Sequence, residues 1–338
     1  MKITVIGAGA VGGLFAAKLT NIGHDVTIVD RDQHLAAIEK NGLTLIEPDG
    51  RQINAKVRTV TRIAEIGAQD IIILAVKAHQ LADVAVELVL GKGQMLVTVQ
   101  NGIPWWYFFK HGGPHEQRRL ESVDPGNIIA DHVAIEHVVA SVVYPAAEVV
   151  SPGVVRHIEG KRISVAEIDG AKTPRIKCLS TALREAGFKA PIVSDIRTEI
   201  WTKLWGNLSF NPISALTHAT LAEICSYPPG RRLLADLMDE MQNVAEALGI
   251  RLPISREQRI AAAEAIGAHK TSMLQDIERG RIPEADAITG SVSEVGRLVG
   301  IKTPQIDALH ALVKLLATTL SERSGRLRVE LSPPPRHK

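Results

Sequence analysis

Residues 2–12 read Lys2-Ile3-Thr4-Val5-Ile6-Gly7-Ala8-Gly9-Ala10-Val11-Gly12. Lys2 to Ile6 has the apolar texture of a buried strand, and Ala10 to Asn21 has the pattern of a helix. The glycines between them fall as GxGxxG at a strand-to-helix junction, the context that gives this motif its meaning. Gly7 permits the tight turn, Gly9 lets the backbone approach a pyrophosphate, and Gly12 lets the helix pack close to the strand. The helix start offers unpaired N–H groups and the positive end of a dipole to phosphates. Gly7, Ala8, Gly9, Ala10, Val11 and Gly12 are therefore candidate contacts to a dinucleotide.

Outward from this turn, the first half alternates strands and helices. Asp25 to Asp30 reads as a second strand, and Leu43 to Glu47 with Gln52 to Val57 as a hairpin around Pro48-Asp49-Gly50. Asp70 to Val76 (DIIILAV) is the unbroken apolar run of a parallel strand covered on both faces. A helix over about Gln80 to Leu90 follows, then strands at Met95 to Val99 and His137 to Val143, a hairpin over Val154 to Val165, and a helix over Lys172 to Ala186. From Asp195 to about Leu320 only helical patterns remain. The expected fold class is α/β: an N-terminal Rossmann-type, doubly wound parallel sheet with an all-helical C-terminal domain. The expected domains are 1–194 and 195–322, with an inserted loop at about 105–127 and a flexible tail over 323–338.

Composition sets limits on function. The chain has 338 residues, enough for two domains with real cores. A net charge of +2 argues against a strongly basic nucleic-acid binder and against a highly charged disordered chain. Cys178 and Cys225 lie far apart, which gives neither a disulfide framework nor metal-ligand spacing. No apolar run reaches the roughly 18 residues of a membrane span, and no signal-peptide pattern opens the chain. The expectation is a cytoplasmic enzyme with no metal and no membrane or nucleic-acid partner.

Cofactor choice turns on the end of the second strand. Asp30, eighteen residues past Gly12, suits a ribose diol and favours NAD; Arg31 suits a 2′-phosphate and favours NADP. Lys77 and Asn101 lie just beyond two strands, where ligands bind in such sheets. Each taken alone is better read as a surface lysine or a turn-forming Asn-Gly residue. In Trp201-Thr202-Lys203-Leu204-Trp205-Gly206-Asn207-Leu208-Ser209-Phe210-Asn211-Pro212, the residues Lys203, Asn207 and Asn211 recur every four positions along one helix face. Their large apolar neighbours point to a largely buried helix. Ser272 and Glu284, each at a helix start, would pass for ordinary capping chemistry.

The ordered set GAGAVG, AVKAHQ around Lys77, QNG at Gln100 to Gly102, WTKLWGNLSFNP and SMLQDIERGRIPEAD resembles the ketopantoate reductase (2-dehydropantoate 2-reductase) family over residues 1 to about 320. The resemblance implies a Rossmann domain, a helical domain, and an active site in the cleft between them. It implies Lys203 as the general acid and Glu284 as the acid of the site. Asn207, Asn211 and Ser272 become substrate contacts, Lys77 and Asn101 lie on the cofactor side, and Arg31 recognises NADPH. The implied reaction is hydride transfer from NADPH to a small 2-keto acid, ketopantoate, to give (R)-pantoate for pantothenate synthesis. Some relatives offer a helical-domain interface for a homodimer.

Three departures leave alternatives open. Asp30 stands where many relatives are uncharged, which admits NAD(H). His269 and Thr289 replace asparagines found in some relatives. Five consecutive aromatics, Trp105 to Phe109, follow the QNG turn; they suit a lid over the substrate, or packing of a long loop or a dimer partner. The runner-up is a mandelate-type D-2-hydroxyacid dehydrogenase acting on a bulkier keto acid with NADH. A non-catalytic dinucleotide sensor is the more remote alternative.

Overall fold

Strands that are apolar at every position must be covered on both faces, and this requirement organises the N-terminal half. The computed structural model describes residues 1–31 and 33–329; the end of the expected tail, from residue 330, lies outside them. In chain order the elements are β1 (Lys2–Ile6), α1 (Ala10–Asn21), β2 (Asp25–Val29), α2 (Gln33–Asn41), β3 (Leu43–Ile46), β4 (Gln52–Ala55), β5 (Arg58–Val60), β6 (Ile71–Leu74), α3 (Leu81–Ala85) and β7 (Met95–Thr98). There follow α4 (Ile128–His132), β8 (Val138–Val143), β9 (Ala146–Ser151), β10 (Val154–Glu159), β11 (Ile163–Ala166), α5 (Pro174–Glu185) and α6 (Ile196–Thr217). The chain closes with α7 (Leu221–Ser226), α8 (Pro228–Ala247), α9 (Arg256–Ile266), α10 (Ser272–Glu278), α11 (Ser291–Val299) and α12 (Pro304–Glu322). It divides into two compact units, Met1–Lys203 and the remainder from Leu204.

The first unit holds a seven-stranded sheet in the order β11-β8-β7-β6-β1-β2-β5. Its strands are parallel except for β11, which runs antiparallel to β8. A second sheet runs β4-β3-β10-β9. Helix α1 contacts both sheets, so Leu14, Phe15, Ala16, Ala17 and Leu19 are buried around its circumference. Gly13 serves that packing, because a Cβ there would lie 2.7 Å from Val155 Cγ2 on β10. Burial on all sides also traps Lys18. Its ammonium pairs with buried Glu47, whose other carboxylate oxygen lies 2.9 Å from His157 Nδ1. His157 Nε2 lies 2.6 Å from the Gly160 carbonyl.

Two local expectations change. Val154–Val165 is not a hairpin: β10 pairs with β9 and β3 in the small sheet, while β11 pairs with β8 in the large one. Gly160 makes the switch at φ +79, with the backbone of Tyr144 and Pro145 packed so close that a Cβ would meet it at 3.2–3.4 Å. The helix after β6 is short, a 3₁₀ turn (Ala78–Gln80) followed by α3. β-Branched Val84, Val86 and Val89, with Gly91 and Gly93, disfavour its continuation.

Among the described residues the second unit is built of helices alone. Its core is the stripe Leu234, Leu237, Met238, Met241 and Val244 of α8, together with Trp205, whose Nε1 donates to the Met238 carbonyl at 2.9 Å. A π-helical turn, Asp286–Gly290, precedes α11.

Candidate active site

The glycine turn shows which side chains the backbone forbids. At Gly7 (φ +99) a Cβ would lie 2.8 Å from Ala75 C and Val76 N, and at Gly12 it would lie 1.8 Å from Gly7 O. Both positions are closed by protein. At Gly9 a Cβ would meet nothing within 4 Å. Gly9 therefore borders open space at the start of α1, where a pyrophosphate fits in this fold. Ala8 lies in the turn, and Ala10 and Val11 open α1.

At the end of β2, both carboxylate oxygens of Asp30 are engaged by backbone. Oδ2 accepts from Ala8 N at 2.5 Å, and Oδ1 accepts from Arg31 N at 2.7 Å. Asp30 thus ties the strand end to the glycine turn. A carboxylate has about four acceptor sites, so ribose hydroxyls can still bind it. The Arg31 guanidinium is exposed and reaches Glu87 at 3.3 Å.

Lys77 and Asn101 follow β6 and β7, which are neighbours in the sheet. Gln100 fixes the two strand ends together: its Nε2 donates to the carbonyls of Leu74 (2.7 Å) and Val76 (3.0 Å). Asn101 Oδ1 accepts from Lys203 Nζ at 2.7 Å. The general-acid candidate and the QNG turn, more than one hundred residues apart in sequence, are thus brought together within the first unit. The QNG motif alone assigns Gln100 no role; the signal for one is an amide just past an apolar strand.

The aromatic run is not a lid. Trp105, Trp106, Tyr107 and Phe108 are buried. Trp106 Nε1 donates to Thr98 Oγ1 of β7 at 3.1 Å, and Trp201 Nε1 of α6 donates to the Tyr107 hydroxyl at 2.8 Å. Arg197, also on α6, donates to the carbonyls of Tyr107 (3.0 Å), Phe109 (2.8 Å) and Ile168 (2.9 Å). The run is therefore a wedge bonded to β7, three residues before Asn101, and to α6, two residues before Lys203. Nothing in the sequence marked Arg197 as the clamp.

In the second unit, Asn207 is half-buried and Asn211 buried on α6. The Asn211 Nδ2 meets no hydrogen-bond partner among the described residues. The residues around this face are buried as expected: Trp205, Leu208 and Phe210 all lie in the core. Glu284 is buried, and its carbonyl accepts from Ile288 N at 3.1 Å as the π-helical turn begins; such turns often accompany sites. The cap of α10 is Thr271, which accepts from Leu274 N at 3.2 Å. Ser272 is left exposed on the first turn. Thr289 faces inward, bonded to the Ala285 carbonyl and to His310 Nδ1, both at 2.9 Å.

The cradle, the strand order and the helical second unit define the class: a dinucleotide-binding protein of Rossmann type. A family profile described as ketopantoate reductase PanE/ApbA matches residues 3–170, and one described as ketopantoate reductase PanE/ApbA C terminal matches residues 195–317. A 2-dehydropantoate 2-reductase of Mesorhizobium japonicum is 52% identical over 94% of this chain and 98% of its own. A candidate ketopantoate reductase structure from Ralstonia solanacearum MolK2 is 38% identical with a TM-score of 0.89, covering 94% of this chain and 98% of that one. The ternary structure of D-mandelate dehydrogenase with NADH and anilino(oxo)acetate is 26% identical with a TM-score of 0.81, covering 95% and 100%. The chain belongs to the ketopantoate reductase family.

Proposed function

We propose that this protein reduces ketopantoate to (R)-pantoate, with NADPH as the favoured donor. The observation that carries the reading is the Lys203–Asn101 contact, which sets an ammonium beyond the end of β7, the edge where this fold binds nicotinamide. The open space at Gly9 and the closed positions Gly7 and Gly12 fit a dinucleotide. The bound dinucleotide supplies the hydride for the carbonyl carbon. Lys203 Nζ donates a proton to the carbonyl oxygen as negative charge develops there, and solvent later restores that proton. Asn101 Oδ1 fixes the direction of one Nζ–H bond and so orients the ammonium. Asn207, the unpartnered Nδ2 of Asn211, and Ser272 bind the polar groups of the substrate. Glu284 serves as the acid of the site, and Lys77 holds the cofactor side. Arg31 receives the 2′-phosphate.

A second reading has its own support. The 26% identical D-mandelate dehydrogenase binds NADH, and the carboxylate of Asp30, which braces the glycine turn here, has acceptor sites left that suit a ribose diol. The deciding experiment is initial rates with NADPH and NADH, each against ketopantoate and benzoylformate. NADPH with ketopantoate is expected to be fastest. A preference for benzoylformate by an order of magnitude would overturn the substrate assignment.

A further inference from the structure

Glu87 is the carboxylate that pairs with Arg31. It lies two residues beyond α3, in the segment after β6, and its N–H donates to the Val84 carbonyl at 3.1 Å, so the helix end places it. Its Oε1 accepts from Arg31 Nη2 at 3.3 Å. Arg31 follows β2. Strands β6 and β2 flank β1 and run parallel to it, so the pair reaches across the end of the strand that delivers the glycine turn. Asp30, the residue before Arg31, has its carboxylate on backbone, at Ala8 N and Arg31 N. The guanidinium itself pairs with one carboxylate, Glu87, and a second carboxylate belongs to the adjoining residue. Their formal sum is negative at the edge where the adenosine ribose lies in this fold.

We propose that Glu87 is a specificity-determining residue for the dinucleotide: by pairing with Arg31 it penalises a 2′-phosphate relative to a free ribose diol. The proposal rests on the reading of the chain as a nicotinamide-dependent reductase. A 2′-phosphate must take Arg31 from Glu87 and then sit near two carboxylates. A diol is neutral, can donate to the remaining acceptor sites of Asp30, and leaves the pair intact. Arg31 is 78% and Glu87 41% exposed, so water screens the interaction and the effect is a modest factor.

Direct fluorescence titrations of NADPH and NADH test this in wild type, Glu87→Gln, Arg31→Gln and the double variant. Glu87→Gln keeps the side-chain shape on an exposed turn. It is expected to tighten NADPH about fivefold and leave NADH unchanged, with the gain fading at about 0.5 M salt. In the Arg31→Gln background the same change is expected to give no gain. An equal shift for both dinucleotides, no shift for NADPH, or a gain that survives without Arg31 would overturn the proposal. So would a wild type that binds neither dinucleotide. Binding of both dinucleotides without ketopantoate turnover removes the substrate assignment alone, and the four sets of constants still decide the role of Glu87.

Discussion

Lys203 Nζ and Asn101 Oδ1 meet at 2.7 Å across 102 positions of sequence. Each partner is held from behind by the same wedge. Trp106 bonds the strand that precedes Asn101, while Tyr107 and the carbonyls beside it bond the helix that carries Lys203. One buried aromatic cluster is thus bonded both to the strand that leads to Asn101 and to the helix that carries Lys203.

Replacing the ammonium tests the chemistry. Lys203→Ala is expected to lower kcat about 10²- to 10⁴-fold, the range for a lost general acid, with the Kd of NADPH within about twofold of wild type. Comparable losses in kcat and in dinucleotide affinity would make the lysine structural.

The wedge can be loosened by one atom. Tyr107→Phe removes the hydroxyl that accepts from Trp201 Nε1 and strands a buried donor. A cost of about 1–3 kcal/mol in stability is expected, together with a fall in kcat at unchanged dinucleotide Kd. Urea unfolding and steady-state rates read the two effects separately. Full kcat in a destabilised variant would confine the wedge to a packing role.

The glycine turn separates space from strain. Gly12→Ala would bring a Cβ to 1.8 Å from Gly7 O, so poor folding and a greatly lowered Tm are expected. Gly9→Ala meets no protein atom, so an unchanged Tm and a loss of dinucleotide affinity of about tenfold or more are expected. Thermal melts with and without NADPH distinguish these outcomes. A Gly9→Ala protein with native affinity would remove the pyrophosphate from this position.

The buried network at Lys18, Glu47 and His157 sets an acid limit. Burial alone would push the Glu47 carboxyl up, but bonds from Lys18 and His157 outweigh it and hold the carboxyl below its ordinary 4.5. Its contribution to stability is therefore full above about pH 4.5 and is lost as the pH falls below it. Tm measured from pH 6 to pH 3 is expected to drop for wild type. Glu47→Gln is expected to start lower, by leaving Lys18 buried without its counter-charge, and to vary less over that range. Parallel curves for the two proteins would place the acid sensitivity elsewhere.

Most of the sheet was legible because its strands carry the signal alone: DIIILAV or KITVI can hardly be anything but covered strands. The GxGxxG turn, Lys203 and Asn101 were legible as motifs, but their contact was not, since nothing local relates the ends of β7 and α6. The hairpin misread over Val154–Val165 has a similar cause. A glycine turn between two apolar runs looks the same whether the chain doubles back or passes to another sheet; here β10 pairs with β9 just before it and with β3, while β11 pairs with β8. The aromatic run could be read as a lid or as packing because burial is decided by Arg197 and Trp201, some ninety residues away. Glu87 was invisible because its meaning depends on Arg31, which sequence separation hides.

The small sheet also bears on biosynthesis. β10 lies between β3 and β9, and it brings His157 to Glu47 across 110 residues. A nascent chain that has emerged only as far as β9 carries Lys18 and Glu47 without their third partner, and its β3–β4 hairpin has no neighbour to join it to β9. Closing so long a loop is slow, because its entropy is lost before the parallel pairing compensates for it. The small sheet and the Lys18–Glu47–His157 network can therefore close only after residue 159 has been made, and fragments that stop short of β10 should remain targets for chaperones and proteases.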